Sequence, residues 1–473
     1  MTVHALGRAV RVGAGEAVLS DLQSLEFRGK YQGPPRIEAD LLGYVLLLAD
    51  GESELLLIVL DLLELWEPWM RRFKAAIRRS TGIAEDRQVV LCNHIHSAAN
   101  SEGVPEVALA WRLAPAVEQA RKQLAAAKVA FARRDLGSRW TLRRRFEIDS
   151  LETFCVMFND DCHAEGDRLE ISGQAAKHLA GKGVDPSIWS GHGSKQYCDP
   201  AVESRLELIS FASRQGDPIA TIVRFAAHAV ITSHVWIGNT LYPDFIGEVR
   251  QVLGREVGGK VLFLQGPMGD VKPLQQEYGF ESATEYGQRL GREAVALAET
   301  LEFAPLEAAA LAMQRVPLPL RPEYFITASQ RRNQRDNVLR QADGTKSPAE
   351  RLKLLRQAEV LDWVEFFLVK KEIMVTPKMV ADRAFPAMVS AWRFNDIRLA
   401  GLPGEIFGAT GQRLVEQAGG DRLVVAELAD GYIGYLSPTE EYGTGGYEDT
   451  SCVLAKGADR RLVDAASDAL GAV

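Results

Sequence analysis

Two apolar runs near the N-terminus limit the possible folds most. Gly43 to Leu48 and Glu54 to Leu60 flank Ala49-Asp50-Gly51. Asp-Gly favours the tight turns that join antiparallel strands, so these runs are predicted to form a hairpin. Leu62 to Thr81 reads as a helix. Pro68 disturbs its first part, Arg71, Arg72, Lys74, Arg78 and Arg79 fall late in it, where cations suit the helix dipole, and Gly82 is the stop. A strand over residues 88–93 comes next. The order strand, helix, strand points to an α/β sheet, and such sheets build sites at the carboxyl ends of their strands.

At that end stands Asn93-His94-Ile95-His96-Ser97. Side chains on a strand alternate, so His94 and His96 are expected on one face. Two imidazoles sharing one space can serve a metal. Zinc is the natural candidate, since a catalytic zinc takes about three protein ligands and a water. On its own such a pair is more often structural or surface-exposed than metal-binding.

The bulk properties exclude several classes. The 473 residues are 47% hydrophobic and 25% charged, which allows a large core and excludes wholesale disorder. A net charge of −8 opposes nucleic acid as the main partner and gives no attraction to anionic membranes. The richest apolar stretch, Leu55 to Leu65, is broken by Asp61 and Glu64, so no transmembrane segment is expected. Met1 to Ala5 shows no secretory signal. The five cysteines are scattered and form neither a disulfide framework nor a Cys-x-x-Cys site, which fits a cytoplasmic protein.

Further elements follow in order. Val107 to Ala132 is predicted as one long helix, and Arg143-Arg144-Arg145 as irregular. Leu206 to Ser210 and Ala220 to Phe225 read as paired strands, the second ending at Ala226-Ala227-His228. A helix over Tyr242 to Leu253 leads to a strand over Lys260 to Gln265, and Thr284 to Leu301 is another helix. Residues 327–370 are polar and mostly helical, read as a solvated pair. A strand from Ile397 to Gly401 leads into Leu402-Pro403-Gly404-Glu405, a helix from Ile406 to Ala418 and a strand from Val424 to Leu428. The expected class is α/β, with a mixed sheet core, flanking helices and a zinc site at strand ends.

Asn-His-Ile-His-Ser, Phe-Ala-Ala-His, Leu-Pro-Gly-Glu and Gly-Tyr-Ile-Gly-Tyr each place a metal-capable or proton-active group at a strand end. Other marked features are Asp61, Leu241 to Gly247, the loop Gln265 to Pro273, and Pro438 to Glu448 with its Tyr447-Glu448 pair. In this order the set resembles the neutral/alkaline, non-lysosomal ceramidase family, from about residue 40 to 450. The resemblance implies one zinc held by His94, His228, Glu405 and Tyr435. It implies His96, Tyr447 and Arg144 as catalytic residues, with Arg143 standing where the family's segment has asparagine. It implies a single catalytic domain over residues 1–473, with a helical insertion at about 327–370.

There are departures. Ala98-Ala99-Asn100 replaces a Gly-Pro, and Lys272 replaces a serine after Gly-Asp-Val. The chain is expected to have no C-terminal immunoglobulin-like domain. The implied activity is hydrolysis of an amide in a small-molecule or lipid-like N-acyl substrate by metal-activated water. A different small polar amide or ester is the alternative, as is a non-catalytic relative that keeps the metal.

Each residue also has a plainer reading. His228 could be a satisfied core histidine, Glu405 a cap on the following helix, and Tyr435 a buried hydrogen-bonded phenol. Asp270 could bind backbone amides or orient His228, and Asp61 could hold a histidine tautomer. Asp160-Asp161-Cys162-His163 is read as a polar loop. His4, His178, His192 and His234 receive no role. Met268, Trp66 and Trp69 are read as core or rim.

Overall fold

The computed structural model describes residues 1–7, 9–25, 33–156, 163–165, 168–275, 277–369 and 375–473. Asp160, Asp161 and Cys162 of the acidic loop lie outside them.

The hairpin forms as Leu42–Ala49 and Glu54–Leu60, paired antiparallel through their whole length. It sits in a mixed nine-stranded sheet. The strand order is Lys260–Gln265, Pro218–Phe225, Arg205–Ser213, Ala125–Asp135, Arg11–Val18, Leu42–Ala49, Glu54–Leu60, Gln88–Cys92, with Ala304–Pro305 added on Ala125–Asp135. A five-stranded sheet runs Thr2–Leu6, Ala309–Pro319, Ala384–Phe394, Ile397–Gly401, Leu423–Ala426.

The two sheets bury their apolar faces against each other. Leu46, Leu57, Ile209 and Leu262 of the larger sheet pack with Leu311, Trp392, Phe394 and Leu399 of the smaller. Outer faces take helices. Glu67–Thr81 and Glu106–Lys122 cover one part of the large sheet, and Asp244–Val257 and Phe280–Ala298 another. Gly408–Ala418 and Ala458–Ala472 cover the small one. Strands buried on both faces explain why the apolar runs are continuous rather than alternating.

Within these two sheets three pairings are parallel: Glu54–Leu60 with Gln88–Cys92, Pro218–Phe225 with Lys260–Gln265, and Ile397–Gly401 with Leu423–Ala426. The chain leaves all of them toward one region, where the histidines and Glu405 lie.

Several expectations need correction. The helix predicted from Leu62 starts at Glu67, with Pro68 in its first turn, where a missing N–H costs nothing. Leu62 to Trp66 is therefore free to run past the site. The single helix predicted over 107–132 divides into a helix, Glu106–Lys122, and a strand, Ala125–Asp135. That strand pairs with all of Arg205–Ser213, and sheet pairing overrides the helix propensity of its alanines. The arginine stretch is ordered by two short strands, Thr141–Arg143 and Arg145–Ile148, and both Arg144 and Arg145 are buried. The charged segment forms Ala328–Gly344 and Pro348–Val369.

Candidate active site

The strand carrying the His pair ends at Cys92, so the alternation argument does not apply to it. His94 adopts a left-handed backbone, φ 54°, in the turn that follows. The two imidazoles still meet, with ring centroids 5.0 Å apart. The turn, not a strand face, brings them together. Its approach is set by Asn93, whose side-chain amide donates to Asp61 at 2.8 Å. Asp61 holds no histidine. Its carboxylate takes both Arg250 guanidinium nitrogens at 2.7 Å and the Leu42 N–H at 2.9 Å.

His228 follows its strand and lies fully buried. Its ring centroid is 5.4 Å from that of His94 and 6.1 Å from that of His96. The imidazole nitrogens of these three residues lie within 4.8 Å of one another and could hold a metal ion.

Glu405 completes the cluster from the segment that follows Ile397–Gly401 of the smaller sheet. Gly404, at φ 84°, turns the chain so closely past Gly434 that a Cβ would lie 2.5 Å from that carbonyl oxygen. The strand pair that follows matches Glu405 with Tyr435. On the other side, a Cβ on Gly269 would lie 2.7 Å from the Glu405 carbonyl oxygen. Small residues thus let two loops close on the carboxylate.

Glu405 Oε2 lies 2.8 Å from His228 Nε2 and 3.3 Å from His94 Nε2. The opposite ring nitrogens face backbone carbonyls: His94 Nδ1 is 3.0 Å from the Leu63 oxygen, and His228 Nδ1 is 2.9 Å from the Val271 oxygen. Each carbonyl can accept only if Nδ1 carries the hydrogen. That leaves both Nε2 lone pairs aimed into the cluster, as metal-ligating histidines are commonly oriented. Asp270 does not orient His228; it accepts from the Gly408 N–H at 2.8 Å and Arg143 Nε at 3.0 Å.

Burial lowers His228, and the charge of Arg144 adds to this, bringing it down to about 4, so its imidazole is neutral near pH 7. Burial acts against protonated His94 as well, but Glu405 beside it outweighs that and holds His94 above its usual value. Glu405 lies well below the carboxylate range: burial opposes its charge, and His94 and His228 reverse the effect.

Three phenols surround this core. Tyr432 donates to Glu405 Oε1 at 2.6 Å, and its ring stacks near His94. Tyr435 accepts from Arg144 Nη2 at 2.9 Å. Arg144 is fixed by Glu448 at 2.8 Å and by the Gly269 carbonyl at 3.0 Å. Tyr447 lies edge-on to Tyr435, ring centroids 5.4 Å apart. Burial, reinforced by the Glu405 charge, raises both Tyr435 and Tyr447, so each phenol keeps its proton at neutral pH.

Every residue singled out for the site therefore falls in one region: His94, His96, His228, Glu405, Tyr435, Tyr447 and Arg144. Sequence reasoning missed Tyr432, although it stands in the same Gly-Tyr-Ile-Gly-Tyr segment. It also missed Glu448 as the anchor of Arg144. Lys272 is buried beside the site loop and donates to the Tyr278 phenol at 3.1 Å. Met268 and Trp66 are core residues.

No family model and no curated protein sequence matches the chain. Solved structures do. Neutral ceramidase from Pseudomonas aeruginosa superposes with a TM-score of 0.64 at 16% identity, over 98% of this chain and 75% of that one. The chain has the neutral ceramidase fold. A second structure, a ceramidase complexed with C2, gives a TM-score of 0.63 at 16% identity over the same shares. Mixed sheets carry flanking helices here, and the histidine cluster sits beyond the strand ends. No described helix is long and apolar enough to cross a membrane.

Proposed function

We propose that this chain is a zinc-dependent, ceramidase-like amidohydrolase that cleaves an N-acyl amide into a carboxylate and an amine. The observation that carries the reading is the convergence of His94 Nε2 and His228 Nε2 on Glu405 Oε2, with both Nδ1 atoms engaged by backbone carbonyls. Two imidazoles, a carboxylate and a phenol suit zinc, which takes nitrogen and oxygen donors. His94, His228, Glu405 and Tyr435 would hold the ion. Zinc bound there would supply Lewis acidity, polarising an acyl carbonyl and making water nucleophilic near neutral pH.

The chain's own residues do the rest. Arg144 points its guanidinium at the Tyr435 oxygen and keeps positive charge beside the donors. The protonated Tyr447 phenol, with His96 and Arg144, stabilises the carbonyl oxygen as it becomes negative. Water oxygen bonds to the acyl carbon, the C–N bond breaks, and a proton passes to the leaving nitrogen. Glu448 holds Arg144 against the loss of order that a flexible guanidinium would otherwise bring.

One observation favours a second ligand set. The imidazole nitrogens of His94, His96 and His228 lie within 4.8 Å of one another, which suits three histidines on one ion with Tyr435 as a donor to substrate. The test for both is elemental analysis of protein purified without chelator, together with turnover on a panel of N-acyl amides. About one zinc per chain with amide cleavage is expected. Absence of zinc after reconstitution overturns the reading.

A further inference from the structure

The strand predicted from Val424 to Leu428 carries one charged residue, Glu427. In the structure it follows Leu423–Ala426 and is as buried as its neighbours Val425, Ala426 and Leu428, at 0% exposed. A carboxylate among apolar groups costs free energy unless hydrogen bonds or charges answer it. One strong bond does: Glu427 Oε2 accepts the Ile406 N–H at 2.6 Å, one residue beyond Glu405. The Met268 N–H acts on the same carboxylate. Oε1 has no hydrogen-bond partner among the described residues. Stability alone favours an apolar side chain at such a position, so the carboxylate calls for another reason.

Three segments close on Glu405 at this point. The Glu427 N–H donates to the Gln265 carbonyl at 2.9 Å, where the site loop begins. The Gly269 N–H of that loop donates to the Ile406 carbonyl at 2.8 Å. The Glu405 N–H donates to the Gly434 carbonyl at 2.9 Å, in the segment that runs on from Glu427 to Tyr435. Ile406 is thus held twice, its carbonyl by Gly269 and its N–H by Glu427. That N–H belongs to the planar peptide joining Glu405 to Ile406. Its orientation sets the direction in which the Glu405 side chain leaves the backbone, and so where Oε2 lies against His228 and His94. Arg224 supplies a charge that acts on Glu427. Gly266 makes room for it, since a Cβ there would lie 2.4 Å from the Arg224 Cζ. Arg224 Nε donates to the Val425 carbonyl at 2.9 Å, and Glu203 holds its guanidinium at 3.0 Å.

We propose that Glu427 is a positioning residue of the metal site: by holding the Glu405–Ile406 peptide, it sets the direction from which Glu405 approaches the two histidines. Its bonds go to backbone N–H groups, so it acts through Glu405 and not on the ion. The inference rests on the reading of Glu405 as a ligand. Outer partners of this kind tune metal affinity, and their loss typically costs about 10–100-fold.

The test measures zinc affinity of the full chain by competition with a chromophoric chelator. The absorption spectrum of the cobalt(II)-loaded protein is a second readout, since it reports ligand geometry. The variants are Glu427→Ala, Glu427→Gln and Glu405→Ala, and the unfolding midpoint of each metal-free protein is recorded. Glu427→Ala is expected to bind zinc about 10–100-fold more weakly and to shift the cobalt bands. Glu427→Gln keeps a carbonyl oxygen for the Ile406 N–H and should recover most of the affinity. Added to Glu405→Ala, Glu427→Ala should cost no further affinity, because it acts through the residue already removed. Should Glu427→Ala fail to fold, Glu427→Asp, whose carboxylate stops a methylene short, takes its place. A lowered midpoint with wild-type zinc affinity and cobalt bands overturns the proposal and leaves Glu405 as a ligand. A Glu427→Gln variant as weak as Glu427→Ala also overturns it, since the hydrogen bond would then not be the cause. Unchanged zinc affinity in Glu405→Ala overturns the ligand reading itself, and the proposal with it.

Discussion

Glu405 Oε2 sits 2.8 Å from His228 Nε2, a carboxylate beyond a strand of the smaller sheet meeting an imidazole beyond a strand of the larger. With Glu405 as a ligand, metal affinity reports the packing of the two sheets. His94→Ala, His228→Ala and Glu405→Ala should each reduce zinc from about one per chain to a small fraction. Elemental analysis after desalting reads this directly. Full zinc retention in all three variants would remove the proposed ligand set.

His96→Ala and Tyr447→Phe separate the two ligand sets. With Tyr435 as ligand, both variants keep zinc and lose roughly 10²–10³ in kcat, the usual cost of one oxyanion donor. With three histidines as ligands, His96→Ala loses zinc as well. Zinc stoichiometry and kcat measured on the same preparations decide between them. Wild-type turnover in both variants would make these residues structural.

Asp61 supports the site at a distance. Its carboxylate is buried against both Arg250 nitrogens and the Asn93 amide that precedes His94. Asp61→Ala leaves the Arg250 charge buried without its partner, which typically costs about 3–5 kcal/mol. A denaturant melt should show this as a large drop in midpoint. A drop under about 1 kcal/mol would mean that Arg250 finds another partner.

A second buried pair sets a pH dependence. Burial opposes the Glu203 charge, but Arg224 and Arg205 more than reverse this and hold the carboxyl far below its usual range. Its folded value is depressed, so its stabilisation is present above the unfolded value of about 4.3 and is lost as pH falls toward the folded one. Glu203→Gln should therefore cost most stability at neutral pH, and the gap from wild type should shrink below about pH 4. Thermal midpoints across pH 3–8 read the gap. A gap constant with pH would place the effect in packing rather than charge.

Much of the fold was legible because continuous apolar runs bounded by turn residues admit few structures. The hairpin around Asp50-Gly51 and the strands Lys260–Gln265 and Ile397–Gly401 follow from local sequence. Ala125–Asp135 was not legible, since its alanines favour helix until a neighbouring strand supplies hydrogen bonds. Arg144 and Arg145 gave no sign of burial, because their partner Glu448 lies far along the chain.

By itself the sequence determined the donor types and their order, since imidazoles, carboxylate and phenols are chemical identities that no folding alters. It also determined that they stand after apolar strands, because strand runs are written locally. The tertiary structure decided which nitrogen each histidine presents, through the carbonyls of Leu63 and Val271. It decided that Glu405 meets two histidines at once, and that a charged helix seats Trp363 on Tyr447. These are contacts between segments remote in the chain, and no local rule of propensity or periodicity carries their distances.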